Sequence, residues 1–238
     1  MAKQIAVDLE PYLRGISASG KRTAGSTEGK KKQLDVNFST SEHGLLLGIS
    51  LKSVHVRDAK KQKDGSKKAG RYTHNMKRNE EELRIEAGGY HNRQPYAVMI
   101  GVLFLPFDSC DDAIKKDASS FGSWVRHLRP HTGRVGPDDD SDRFEKLYVA
   151  VYEINGTDLR FFDVESDPPK NGRPPLNGPL LAEDGRARRA LSYDEFLSSC
   201  RVAYQQRNDV EFQWASGEME PLDLEQQEGE DEVVDDDA

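Results

Sequence analysis

Long apolar runs are what this 238-residue chain has least of. No stretch approaches the roughly 18 apolar residues of a membrane-spanning helix, and the longest, Tyr96 to Phe107, is strand-sized. Cysteine is nearly absent. Cys110 and Cys200 lie far apart with no CxxC spacing, so neither a disulfide framework nor a cysteine metal site is expected, only two reduced thiols. Hydrophobic residues make up 35% and charged residues 32%, which allows one modest core with well-solvated flanks. The segment MAKQIAVDLEP lacks a basic region followed by an apolar one, so no secretory signal is expected and the chain reads as soluble and cytoplasmic.

Charge is not scarce but segregated. Basic residues are missing altogether from Glu218 onward, where eleven acidic ones stand. Met1 to Arg78 carries 17 Lys/Arg against 7 Asp/Glu, and Asn79 to Gly217 carries 17 against 24. The net charge of −8 therefore hides a basic amino-terminal third, the balance that binding to a phosphate backbone requires. The acidic end, low in aromatics, predicts a disordered tail over 218–238 behind a single domain over 1–217. The tail could serve solubility alone, or act as a DNA mimic over a basic cleft; the second idea fails if deleting 218–238 leaves DNA affinity unchanged.

Periodicity places the elements. Ile5, Ala6, Leu9, Tyr12 and Leu13 are spaced for an amphipathic helix ended near Gly15. Leu34 to Phe38 alternates, Ser41 to Gly44 supplies a turn, and Leu45 to Ser53 resumes, so the pair predicts a β-hairpin. Asp58 to Gly70 is a lysine-rich loop or hairpin tip. Asn75 to Tyr90 predicts a helix, Tyr96 to Leu105 a strand buried on both faces, and Ser119 to Leu128 a short helix. Lys146 to Ile154 and Leu159 to Val164 predict two strands hinged at Asn155-Gly156. Ser192-x-x-Glu195 opens a helix to Gln206 with a capping box. The order α, β-hairpin, α, β, α, β, β, α gives a mixed α/β domain.

The residues that carry chemistry are Asp35, Ser50, Lys52, Glu82 and Glu86. Strand alternation points Ser50 and Lys52 to one face and Ile49 and Leu51 to the other. Asp35 can lie across the hairpin from that face. Glu82 and Glu86, four apart, share one side of the next helix and repel each other unless a cation lies near. Carboxylates that hold Mg²⁺ and an amine beside them are the parts of phosphodiester hydrolysis. Asp35 is assigned as bridging metal ligand, Lys52 as the cation on the water and phosphate side, and Glu82 or Glu86 as the second carboxylate, with Glu82 preferred.

The segment LDVNF…GLLLGISLKS resembles the core of the PD-(D/E)xK nucleases, in which an aspartate strand and a (D/E)xK strand form a hairpin. Leu34 stands in place of the proline and Ser50 in place of the acid. Some restriction endonucleases of that superfamily have SxK there and move the missing carboxylate to the following helix, and Ser50-Leu51-Lys52 followed by Glu82 and Glu86 resembles that variant. NEEELRIEAGGYHNRQPYAVMIGVLFLP is also similar to the helix and strand that come after the motif in prokaryotic restriction-type proteins. The resemblance covers roughly Leu34 to Pro106. It implies a restriction-endonuclease-like mixed central sheet flanked by helices, and Mg²⁺-dependent (or Mn²⁺-dependent) cleavage of DNA in a restriction or phage-defence setting. It is compatible with a homodimer, since cutting a duplex takes two centres. Ser50 also admits another reading, a DNA-binding subunit whose site has decayed, and the charge pattern admits a third, assembly with a helicase or methyltransferase.

Lys60, Lys61, Lys63, Lys67 and Lys68 are candidate phosphate contacts, and Arg93 and Gln94, with Tyr90, His91 and Asn92, are candidates for phosphate or base edges. Glu10 is a further carboxylate, more plausibly on the surface. His127 and His131, interrupted by Pro130, with Asp138 to Asp140, fit a polar surface loop better than a metal site. Asp108, Asp111 and Asp112 read as turn or capping residues.

Overall fold

The computed structural model describes residues 1–18, 34–57, 59–61, 67–177 and 189–208, with the short strands at 59–61 and 67–69 in backbone only. Met1–Arg207 forms one compact unit and Asn208–Ala238 is divided from it. The acidic segment 218–238 lies outside the described residues.

The elements run α1 (Ala2–Leu9), β1 (Ser17–Ala18), β2 (Val36–Thr40), β3 (Gly44–Ser53), β4 (Ala59–Lys61), β5 (Lys67–Ala69), α2 (Met76–His91), β6 (Val98–Pro106), α3 (Ser120–Leu128), β7 (Lys146–Tyr152), β8 (Leu159–Asp163) and α4 (Tyr193–Arg207). Six strands form one mixed sheet in the order β1-β2-β3-β6-β7-β8. β2 and β3 are the expected hairpin, whereas β3, β6 and β7 run parallel and are joined through α2 and α3. A parallel pair needs a crossover long enough for a helix, and both connections supply one. β1, two residues opposite Val36 and Asn37, is too short to show an alternating pattern.

Each face of the sheet is covered by two helices. Leu83 and Ala87 of α2 pack with Trp124, Val125 and Leu128 of α3 over Met99, Leu103 and Leu105 of β6. Ile5 and Leu9 of α1 pack with Phe196 and Cys200 of α4 over Val98, Ile100 and Val102 of the same strand. The continuous apolar run of β6 is thereby explained: alternate residues feed opposite layers, and each fully buried aliphatic side chain contributes about 1.5–3 kcal/mol. Both cysteines are free and buried in these layers, and burial pushes the Cys110 thiol up to about 12.

The lysine-rich stretch, expected as a loop or hairpin tip, includes a two-stranded antiparallel ribbon, β4 with β5, in which Lys60 stands opposite Lys68 and Lys61 opposite Lys67. Its base is pinned on both legs. Val54 N–H donates to Phe104 O at 3.0 Å, extending the β3–β6 ladder, and Arg57 pairs with Asp108 at 2.7 Å while lying over the Tyr72 ring. On the returning leg Tyr72 N–H donates to Ser120 Oγ at 2.9 Å, and the buried Trp124 Nε1 donates to Tyr72 O at 2.7 Å.

Candidate active centre on the hairpin

The centre is built on the second strand of the hairpin. Leu47 and Ile49 enter the layer under α1 and α4, so Gly48, Ser50 and Lys52 face α2. Gly48 has to be small: a Cβ there would lie 2.6 Å from Leu34 Cδ1 and 2.7 Å from Met99 Sδ. The β2–β3 ladder pairs Val36 with Ile49, which puts Asp35 at its open end. There the Asp35 carboxylate takes over the ladder's role and Oδ2 accepts the Leu51 N–H at 2.7 Å. The aspartate is thus tied to the backbone between Ser50 and Lys52.

Of the two candidate glutamates on α2, the one that reaches β3 is Glu86. Its side chain is 2% exposed and its Oε2 takes both partners from β3: Lys52 Nζ at 3.1 Å and Ser50 Oγ at 3.1 Å. The preference for Glu82 is corrected. Glu82 lies one turn earlier, half-exposed, and pairs with Arg78 on its own helix at 3.0 Å. The reason is rotation of α2: its buried stripe runs through Leu83, Glu86 and Ala87, and Glu82 falls off that stripe. Ser50, Lys52 and Glu86 therefore converge, Asp35 is bonded to the backbone of the same strand at Leu51, and Glu82 stands apart.

Among the described residues, no group of three or more His, Cys, Asp or Glu side chains is arranged to hold a metal ion. The centre offers two carboxylates, each bonded to the protein through a single oxygen, Asp35 through Oδ2 and Glu86 through Oε2. That donor set fits Mg²⁺, which binds through one or two carboxylates and otherwise keeps waters or substrate phosphate oxygens. It does not fit an ion that needs a complete protein cage.

The other expected contacts are distributed differently. Gln94 is not presented to a ligand: its amide clamps the hairpin turn, accepting from Leu45 N–H and donating to His43 O at 3.2 Å. His91 is buried at the end of α2, with Nδ1 on Ser141 O at 2.7 Å, so it does not face a phosphate either. Arg93 is exposed. Lys60, Lys61, Lys67 and Lys68 lie on the ribbon directly after β3, and Lys63 lies outside the described residues. Glu10 caps the end of α1 as an exposed residue. His127 and His131 turn away from Asp138 to Asp140 toward Glu80, with Nε2–Oε distances of 3.8 and 3.0 Å. Asp139 instead accepts from the Val135 and Gly136 N–H groups, and Asp112 caps α3 through Ser120 N–H at 2.6 Å.

A three-layer α/β unit with a six-stranded mixed sheet, carrying a carboxylate–lysine–serine cluster on its hairpin, is the class that fold and centre define. Compared with models of protein families, with curated proteins and with solved structures, the chain matches none. No described helix is long and apolar enough to cross a membrane.

Proposed function

We propose that this chain is a Mg²⁺-dependent endonuclease of the PD-(D/E)xK type, with a restriction-endonuclease-like fold, that hydrolyses DNA phosphodiester bonds in a restriction or phage-defence setting. One observation carries the reading. Ser50 and Lys52, on one face of β3, share one oxygen of the buried Glu86 from the next helix, and the Asp35 carboxylate is bonded to the backbone between them. A serine in the acid's place, with the acid supplied from α2, is what the SxK variant of that superfamily would require.

In this reading Asp35 and Glu86 would hold the ion. Mg²⁺, when bound, lowers the pKa of a coordinated water and neutralises charge on the phosphate. Lys52 donates to a non-bridging phosphate oxygen, where negative charge develops as water oxygen bonds to phosphorus, the bond to the 3′ oxygen breaks and the proton the water gives up ends on that 3′ oxygen. Ser50 fixes the Glu86 rotamer so that the carboxylate is in place before substrate arrives. The lysine-rich stretch that follows β3 supplies candidate contacts to the phosphates of a polyanion.

Incubation with supercoiled plasmid in Mg²⁺, in Mn²⁺ and in EDTA, beside the Lys52→Ala variant, tests the proposal. Metal-dependent nicking that is lost in the variant is expected. One observation favours a second reading, a DNA-binding subunit with a decayed centre: Ser50 stands where the motif has an acid, and among the described residues no group of three or more metal-ligating side chains is gathered. DNA binding by both proteins without cleavage by either would favour it.

A further inference from the structure

Two buried carboxylates, Glu145 and Glu86, are partnered in different ways. Glu145 spreads its bonds over both oxygens: Oε1 takes Arg134 at 2.9 Å and Arg207 at 2.8 Å, and Oε2 accepts the Met99 N–H at 2.7 Å. Glu86 concentrates its bonds on one. Ser50 Oγ and Lys52 Nζ both reach Oε2 at 3.1 Å, and among the described residues Oε1 has no partner. No other described cation comes within ion-pair distance of Glu86.

A carboxylate oxygen has two lone-pair positions, so Oε2 is filled. A further positive group is accommodated there only when one of the two donors leaves. Ser50 is fully buried and neutral, and it neither needs to move nor repels an ion. Lys52 is different. Its ammonium is a point charge on a flexible four-carbon stem, 26% exposed beside a carboxylate that is 2% exposed. An ion on either oxygen of Glu86 stands within about 4–6 Å of that ammonium, the range over which like charges disfavour each other. Ammonium and divalent ion therefore compete for one carboxylate. The contact also keeps Lys52 from the role given to it above, since it is engaged by Glu86 and not by a phosphate.

We infer that Lys52 is an internal counter-ion that closes the centre until substrate arrives: a DNA phosphate draws the ammonium away, and Glu86 is then open to the divalent ion. The inference rests on the reading of Glu86 as an ion ligand and adds a lock to it. Linkage makes the effect reciprocal, so phosphate tightens ion binding and the ion tightens phosphate binding.

Binding of Mn²⁺ to the DNA-free full chain, read from the electron paramagnetic resonance of the free ion, tests it. Wild type is compared with Lys52→Met, which keeps an unbranched stem without the charge, and with Lys52→Gln should the first fold poorly. Tightening of about tenfold is expected in both, the low end of what groups around a metal site do to affinity. Adding Glu86→Gln to Lys52→Met should abolish the gain. Acylation of the Lys52 amine, followed by peptide mass spectrometry, gives a second readout that charge removal alone does not imitate. Saturating Mg²⁺ should raise its rate severalfold in wild type and leave that of Lys77, exposed on α2, unchanged. Equal Mn²⁺ affinity in wild type and variants, no saturable binding in any of them, or a Lys52 rate indifferent to Mg²⁺ would each overturn the inference. Plasmid nicking by wild type beside equal affinities strikes the lock and leaves the nuclease reading, whereas tighter binding in the variants without nicking by wild type does the reverse.

Discussion

Lys52 on β3 and Glu86 on α2, 34 positions later in the chain, meet at 3.1 Å, and Glu86 is the more deeply buried of the two. The pair fastens the hairpin to the helix that crosses over it. The proposed chemistry runs through this contact.

The first expectation separates the two glutamates. Glu86→Gln should lower metal-dependent nicking about a hundredfold or more, the scale for removing a charged group from a phosphoryl-transfer centre. Glu82→Ala should leave it within about twofold, because Glu82 is engaged with Arg78 alone. Equal losses in rate assays of the two variants would refute the assignment of the second carboxylate.

Gly44 is expected to tolerate no side chain. Its φ is +70°, and a Cβ would come within 1.6 Å of Gln94 Nε2. Gly44→Ala should cost about 1–2 kcal/mol from the left-handed backbone alone, and more from displacing the clamp. Urea denaturation reads the loss; a variant as stable as the wild type would show that Gln94 gives way freely.

The Glu145 network sets an acid limit. Burial works to raise the Glu145 carboxyl, but His91, the Met99 N–H and Arg134 outweigh it and hold the group below its ordinary 4.5. A depressed folded value means stabilisation that is fully present above the ordinary carboxylate range and is lost as pH falls through the folded value. Glu145→Gln should therefore destabilise by about 3–5 kcal/mol at neutral pH, because two guanidiniums lose their counter-charge, and should flatten the acid limb of the stability curve. An acid limb of unchanged shape in the variant would assign the titration elsewhere.

The ribbon makes a prediction about salt. Replacing Lys60, Lys61, Lys67 and Lys68 by Gln should reduce the dependence of log K for DNA on log salt by about 1 for each lysine that touches a phosphate. Titrations at several ionic strengths measure the slope, and an identical slope for wild type and variant would remove the ribbon from the interface.

Much of the architecture was legible because local chemistry and tertiary packing agree. The capping box is one example: Ser192 and Glu195 exchange hydrogen bonds at 2.9 and 3.3 Å, and α4 starts there. Strand parity likewise put Ser50 and Lys52 on one face, toward α2. The choice of glutamate was not legible, since it depends on the rotation of α2 over the sheet and both residues share a helix side in sequence. Gln94 misled for a related reason. A polar residue just past a helix end looks available, and only the fold brings the hairpin turn back to it. The Arg134–Glu145–Arg207 cluster left no sequence signal, because its members come from a loop, a strand entrance and a helix end.

The pinned base of the ribbon has a consequence for how such a protein can change. Val54 is fixed to Phe104 on one leg and Tyr72 to Ser120 on the other, so the stretch between them is a cassette on a rigid mount. Its length and sequence can drift without disturbing the register of β3 or the seating of α2. Descendants of this chain are free to alter the ribbon while keeping the cluster behind it.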